Sequence, residues 1–565
     1  MKVILTISLL FFINHLQAQS ELRLHDSSLH AIYYGDSNIY TLKIKKGNQY
    51  KLLVMQQGID LEIHLKKSAN KDTVFDSPNG TDGPEPVEFM ADANGSVTLV
   101  VKPLNDTANT KQGSYFIIYK QVLTSSEYAA IRKEQKISEK EFVSWIKQNA
   151  IPIKTVQAGN GFDDIAALKP LLENKRVVAM GEATHGTKEF FRMKHRMLEY
   201  LVTELGFTVF GIEASYGRCK YINDYVLSGK GNIDTAVLVQ GFTTWSTEEV
   251  KAMIEWMRKY NASNPPVKVQ FVGFDLQVND AAESALSKYY AKVDAGKKIM
   301  VDTLLKRIDR MEMSGGIFSG DTSIRNLVAP TEKLIADFIE QQGEYITKSS
   351  RQEYDEMLWN EKVLHQYLIS YSYYFGDTAA RGTRDYYMAQ NILNWLNHFP
   401  AGTKMMVWAH NGHVAKDYLT GVSIASMGSY LKAVLKDDYY VIGFDFYKGK
   451  FQSNDPDLKN SPGWEEQEIG DAPSNNMSSY FVQAGINNSF LDFSHTPKND
   501  NIKQWLNEKT IGTYSMGSQF SKTWSSSQYI ASMKLQHAFD AIIFIKQSTR
   551  AVPVKYFSTD DMYRF

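Results

Sequence analysis

The stretch RVVAMGEATHGTKEFFRMKHRMLEYLVTELGFTVFGIEAS, residues 176–215, decides the fold. It opens on a short apolar run, Val177-Val178-Ala179-Met180, of the kind that is buried on both faces. A helix is expected over about Lys188–Leu205, because Met193, Met197, Leu201 and Leu205 recur on one face. A second strand, Phe207–Ile212, follows. Strand, helix and strand at this spacing are the unit of a parallel sheet covered on both sides. The alternation continues with a helix at about Thr247–Tyr260 and strands at Val267–Phe274, Lys404–Trp408, Tyr439–Phe444 and Ala541–Ile545. The reading is an α/β domain over 151–565 with a mostly parallel sheet and flanking helices. Between about 280 and 400 only helical runs occur: Ala281–Met311, Thr331–Thr347, Gln352–Ser372 and Arg384–Asn397. They predict a large helical cap inserted into that domain.

Residues 20–122 follow another rule. Tyr40–Ile44, Tyr50–Val54, Leu61–Leu65, Val97–Val101 and Tyr115–Tyr119 are short strands separated by turn signals such as Lys46-Gly47-Asn48, Pro78-Asn79-Gly80 and Asn94-Gly95. This spacing predicts a small all-β sandwich that precedes the α/β domain. The charged stretch 123–150 reads as a helical linker, ending before Pro152. Residues 1–18 read as a signal peptide: Lys2, an apolar Val3–Ile13, then Leu16-Gln17-Ala18 at the cleavage position. That run is too short to span a bilayer, and no other stretch approaches the roughly 18 apolar residues a span needs. A secreted or periplasmic chain with no membrane span is therefore expected.

Composition narrows the chemistry. The chain has 565 residues, 62 Lys+Arg against 63 Asp+Glu, and one cysteine. A net charge of −1 supplies no basic field for nucleic acid. A lone Cys219 excludes an intramolecular disulfide, a cysteine zinc cluster and an iron–sulfur site; its place in the helix after Glu213 reads as packing. There is no G-x-S-x-G, no H-E-x-x-H, no P-loop and no dinucleotide glycine motif after a strand. What remains is histidine and carboxylate, the equipment for activating water.

Those residues collect at strand ends. Glu182 and His185 follow the first strand, Glu213 the second, Asp275 the third, and His410 and His413 the fourth. Ligands of open α/β sheets bind outside the carboxyl ends of the strands. Each residue alone has a plain structural role as a cap, loop or turn residue. Six ionisable residues gathered at one edge point to a site.

Four separated motifs carry a resemblance: GEATHGTKEFFRMKHRMLEYLVTELGFTVFGIEAS, VGFDLQ, RGTRDYYMAQNILNWL and VWAHNGHVAK. In order and spacing, over about residues 150–550, the chain resembles the erythromycin esterase family. The segments KKGNQYKLLV, GIDLEIHL, NGSVTLVVKP and GSYFIIY more weakly resemble the pre-peptidase C-terminal type of β-sandwich appended to secreted enzymes. The first resemblance implies hydrolysis of an ester or lactone, a macrolide or related compound, by activated water without a covalent intermediate. It puts the family's essential histidine on His185, its carboxylates on Glu182 and Glu213, its histidine pair on His410 and His413, its third-strand acid on Asp275, and its Arg-Asp pair on Arg384 and Asp385. One position departs: nine residues after the loop histidine the family commonly has Arg, and here stands Lys194, which keeps the charge but loses the planar fork.

The expected mechanism follows from residue type. A neutral histidine, with an unperturbed pKa of about 6.5, can take a proton from water near neutrality. His185 is thus the expected base, with Glu213 or Glu182 orienting it. His410, His413 or Lys194 is the expected donor to the oxyanion, and Lys194, Asp275, Arg384 and Asp385 are expected to bind substrate. The expected partner is a small-molecule ester or lactone, with no cofactor required. Two alternatives stay open on the residues: a metal-dependent hydrolase or peptidase-like enzyme with His185, Glu213, His410 and His413 as zinc or manganese ligands, and a non-catalytic surface-binding protein.

Overall fold

A computed structural model of the chain describes residues 20–22, 29–68, 71–75, 83–104, 112–313, 324–372, 383–417, 425–458, 464–494 and 500–554. The expected signal peptide, the turn at Pro78-Asn79-Gly80 and the Arg381-Gly382 start of the third motif lie outside them. The chain divides into two compact units, Met1–Ile137 and Ser138–Phe565. The division falls within the helix Ser125–Asn149.

The smaller unit is built from two sheets. One runs Ser20–Glu21, Asn38–Ile44, Gly95–Pro103, Leu61–Ser68, Lys71–Phe75, and the other Leu29–Tyr33, Gln112–Leu123, Gln49–Gln57, Gly83–Met90. Pairing is antiparallel except between the first two strands. Alternation decides which side chains go inside. Tyr50, Leu52 and Val54 of one strand are buried with Leu42, Ile63, Leu99 and Tyr115 in a single core.

The larger unit is organised by a nine-stranded sheet. Six of its strands run parallel, in the order Ala541–Ser548, Tyr439–Asn454, Val177–Met180, Met405–Trp408, Val209–Ser215, Gln270–Asp275. Ser489–Asp492 and Trp464–Ile469 join antiparallel, and Ile151–Pro152 pairs with the former. The apolar runs are continuous because both faces are covered. Val178, Met180, Met406, Trp408 and Ile442 face one core with the helices Lys188–Leu205 and Glu248–Ala262. Val177, Ala179, Met405, Val407 and Val441 face the other, with Phe142, Trp145 and Ile146, Thr383–His398 and Met477–Gln483. Side chains serve the backbone of Gln270–Asp275 where the sheet stops: Phe271 N–H donates to Asn223 (2.9 Å), while Trp395 and Asn391 donate to the carbonyls of Gly273 (2.9 Å) and Phe274 (3.0 Å). That leaves a blunted edge rather than a template for another strand.

The helical stretch after Asp275 has its own core. Asp280–Val293, Ala295–Met313, Arg325–Glu340, Gln342–Lys348 and Arg351–Ser372 pack round Tyr289, Tyr290, Phe338, Tyr345 and Tyr354. The last run of the expected insertion belongs elsewhere: Met388, Ala389, Ile392 and Leu396 of Thr383–His398 lie against the sheet. Among the described residues no helix is long and apolar enough to cross a membrane.

Candidate active site

The loops at the carboxyl ends of four parallel strands converge. Glu182 and His185 lie between Val177–Met180 and the helix Lys188–Leu205. Glu213 sits in Val209–Ser215 where its register with the neighbouring strand slips between Ile212 and Ser215. Such a bulge re-aims a side chain, and Gly273 opposite makes room for it: a Cβ there would lie 2.4 Å from the Ser215 carbonyl. Asp275 ends its strand. His410 caps the short helix Asn411–Val414, its Nδ1 accepting from Gly412 N–H at 3.2 Å. Arg384 and Asp385 open Thr383–His398.

Two ion networks result. In the first, Glu182 is fully buried and both its oxygens are used. Oε1 meets His185 Nδ1 at 2.6 Å, and Oε2 accepts from Lys194 Nζ at 2.6 Å and Trp408 Nε1 at 2.8 Å. The Lys194 ammonium also lies 4.2 Å from the centre of the Trp408 ring. Burial pushes Lys194 down to about 8, against the pull of Glu182. Lys194 is thus placed behind Glu182, with 0% exposure, and not where a substrate would touch it.

In the second network Arg384 is the hub. It donates to both oxygens of Asp275 (3.1 and 2.7 Å) and to Glu213 Oε1 (2.9 Å), and its Nη1 lies 3.1 Å from His413 Nε2. Glu213 Oε2 accepts the His410 backbone N–H at 2.9 Å. Burial opposes the charge of Glu213, but His413 and Arg384 hold its carboxyl well below the usual carboxylate range. Burial likewise opposes a charged His413, yet Asp385, 2.8 Å from Nδ1, and Glu213 raise it to about 10. His410 goes the other way: burial, with His185 and His413 beside it, pushes it down to about 3. Its ring is therefore neutral, and with Nδ1 accepting, the proton is on the buried Nε2; the ring also lies against the Ala183 backbone.

His185, Glu213, Arg384, His410 and His413 share an open cavity of about 400 Å³ with Gln277, Trp524, Gln528 and the segment Ser515–Gln519. Asp275 and Asp385 hold the cavity's cations from outside it: fully buried Asp275 grips Arg384, and Asp385 grips His413 and the Met427 N–H (2.8 Å). A larger hollow of about 890 Å³ beside Gln270–Val272 holds none of these residues. Sequence reasoning missed Trp408, although it stands inside the fourth motif, and Trp245, whose ring is 5.3 Å from that of His185. It also missed the whole of 515–528, which carries no motif. Among the described residues no group of three or more His, Cys, Asp or Glu is arranged to hold a metal ion.

Comparison with known proteins places the chain as a whole. The sequence profile described as erythromycin esterase matches residues 202–548. The chain is 26% identical to erythromycin esterase type II of Escherichia coli over 380 residues, 63% of this chain and 90% of that protein. It is 24% identical to the putative hydrolase YbfO of Bacillus subtilis (strain 168) over 449 residues, 74% of this chain and 93% of the relative. Among solved structures, one titled as a succinoglycan biosynthesis protein shares the fold at a TM-score of 0.61 with 24% identity, over 74% of this chain and 99% of that one. A mutant erythromycin esterase in its open conformation shares it at 0.52 with 17% identity, over 69% and 94%. With the profile covering more than half of its length, the chain belongs to the erythromycin esterase family.

Proposed function

We propose that the chain is an exported hydrolase that cleaves a carboxylic ester or lactone with water activated by His185, without a covalent enzyme intermediate. The Glu182–His185 pair carries this reading. Donation from Nδ1–H to Glu182 at 2.6 Å fixes the tautomer and leaves the Nε2 lone pair free to act as base. Lys194 and Trp408 saturate the second oxygen of Glu182, so the orienting carboxylate is itself held in place. Beside Nε2 the wall is Gly517, where even a Cβ would stand 3.8 Å away, which leaves space for a water. The chemistry runs in two steps. Nε2 takes a proton as the water oxygen bonds to the acyl carbon, and the imidazolium returns that proton to the leaving oxygen as the old C–O bond breaks. Neutral His410 and Arg384 line the same cavity and are the donors assigned to the oxyanion. The helical stretch serves as a cap: Gln277, on the cavity wall, donates to Tyr371 of Arg351–Ser372 at 3.0 Å.

The test is turnover of a panel of 14-membered lactones and simple aryl esters, followed as addition of water by mass spectrometry, each with and without chelator. His185→Asn is expected to lower kcat at least ~10³-fold with an unchanged melting temperature, in the range seen when a water-activating base is lost. Near-normal turnover by that variant would falsify the assignment of the base. Activity lost on chelation and restored by zinc or manganese would favour the metal reading instead. Sequencing the mature N-terminus from an exporting host tests export; a chain retaining residues 1–18 in the cell interior would refute it.

A further inference from the structure

The cavity has two unlike halves, and only one is used by the chemistry above. The strand-end half is charged. The other is made by the segment 515–528 with Gln277, and it is neutral and polar. Its construction is rigid. Tyr514, Met516 and Phe520 point into the core, and the intervening Ser515, Ser518 and Gln519 are left outward. Backbone bonds stitch the segment to the catalytic loop and its neighbours: Met516 N–H to Ala183 (2.8 Å), His185 N–H to Gly517 (3.0 Å), Ser515 N–H to Tyr529 (2.9 Å) and Phe520 N–H to Asn454 (3.0 Å). Gly517 takes φ +56°, the left-handed turn that lets the chain run this close to His185.

On this fixed frame stands a set of uncommitted groups. The hydroxyls of Ser515 and Ser518, the Gln519 amide and the Trp524 Nε1–H have no hydrogen-bond partner among the described residues. Gln528 uses only its oxygen, which accepts from Ser525 N–H at 2.9 Å, so its NH₂ is also unspent. None of the residues that the segment contributes to the cavity lining is charged; its one charged residue, Lys522, is not among them. An indole with amides and hydroxyls around it suits a hydroxyl-rich, uncharged saturated ring: its C–H face lies on the indole, and each hydroxyl finds a donor or acceptor.

Resting on the hydrolase reading, we infer that the Ser515–Gln528 face is a sugar subsite and that the ester cleaved is an O-acyl sugar whose hydroxyl is the leaving group. Water adds to the acyl carbon, the bond from that carbon to the sugar oxygen breaks, and the sugar oxygen takes the proton held by His185.

The experiment compares acetylated methyl hexosides with phenyl acetate, and a glycosylated macrolide with its aglycone. Phenyl acetate turnover reads the hydrolase assignment alone. The inference is read from the ratio of kcat/KM for acetyl hexoside to that for phenyl acetate. In the wild type this ratio is expected to exceed 10. In Trp524→Ala and Gln519→Ala it falls at least ~10-fold, mainly through KM, and Trp524→Phe recovers most of it because a ring face remains. A ratio near unity in the wild type, or one unmoved by Trp524→Ala in a variant of unchanged melting temperature, overturns the subsite. So does cleavage of macrolides with no cleavage of any acetyl hexoside. Should no ester be turned over, the hydrolase reading fails, and quenching of tryptophan fluorescence by methyl hexosides, lost in Trp524→Phe, decides the subsite separately.

Discussion

Lys194 shows how much hangs on one buried charge. Among the described residues its ammonium is the only cation bonded to Glu182 apart from what His185 can supply, and it has no exposure. Lys194→Met leaves a buried carboxylate uncompensated, which typically costs about 3–5 kcal/mol. The expected result is a lower urea midpoint and a lower kcat, since Glu182 no longer holds His185. The second consequence concerns pH. Burial sets Lys194 at about 8, so the proton, and with it the charge on Glu182's partner, is lost as pH rises through that value. Wild-type kcat is expected to fall above about pH 8. In Lys194→Arg, whose guanidinium does not titrate in this range, the alkaline limb moves to higher pH even though the bulkier side chain costs about 1–3 kcal/mol in stability. An alkaline limb that stays put in the folded Arg variant assigns it to another group. The charged half of the candidate site was legible because a chain pattern marks it: Glu182, His185, Glu213, Asp275, His410 and His413 all stand at the ends of apolar strands. Sequence reading put Lys194 on the substrate because charge and spacing along a chain do not tell which side of Glu182 the side chain approaches from.

At the level of elements, the limits of legibility have the same cause. Parallel strands announce themselves by apolar runs, and the helices between them by four-residue spacing. The segment 515–528 has neither, since its fold is set by contacts to Ala183, His185 and Asn454, far away in sequence. The helical stretch after Asp275 was legible as helix, but not its division into a separate core and the sheet-packed Thr383–His398. That separate core holds an unusual group. Glu361 is 1% exposed and accepts from Tyr290 Oη, while its Oε2 has no hydrogen-bond partner among the described residues. Burial raises it to about 8, with Tyr290 and Lys297 opposing the rise and Asp337 adding to it. The unfolded glutamate titrates near 4.5. Below that pH both states are protonated and the group contributes nothing. Between 4.5 and 8 the unfolded chain ionises while the fold keeps its proton, so stability falls as pH rises and levels off above about 8. Glu361→Gln removes this slope. Its advantage in urea melts is expected to be absent at pH 4, to grow by at most about 1.4 kcal/mol per pH unit, and to be greatest above pH 8. A constant difference at every pH would show that Glu361 does not titrate in this way.

For the whole molecule the question is where the independent parts begin. The smaller unit closes its core with residues between Leu22 and Ile117, with Val122 packed at its margin. The larger unit draws on the chain well before its first parallel strand. Phe142 lies 4.3 Å from Trp505 between ring centres, Trp145 stacks near Phe493 at 6.5 Å, and Lys509 pairs with Glu139 at 2.7 Å. A sequence that reads 123–150 as a linker places the cut after Ala150, because the charged residues there outnumber the few that are buried. The packing places it before Phe142. A chain of residues 138–565 is therefore expected to fold alone and to hydrolyse phenyl acetate with a kcat/KM within about two-fold of the full-length protein, since each unit closes its own core. A chain of residues 151–565 lacks Phe142, Trp145 and Ile146, and the loss of even one buried aromatic typically costs about 3–5 kcal/mol. It is expected to melt well below the longer piece or to be recovered unfolded. Equal melting of the two pieces would mean that the second half of the helix Ser125–Asn149 is dispensable to the larger core, and that the unit begins at its first strand after all.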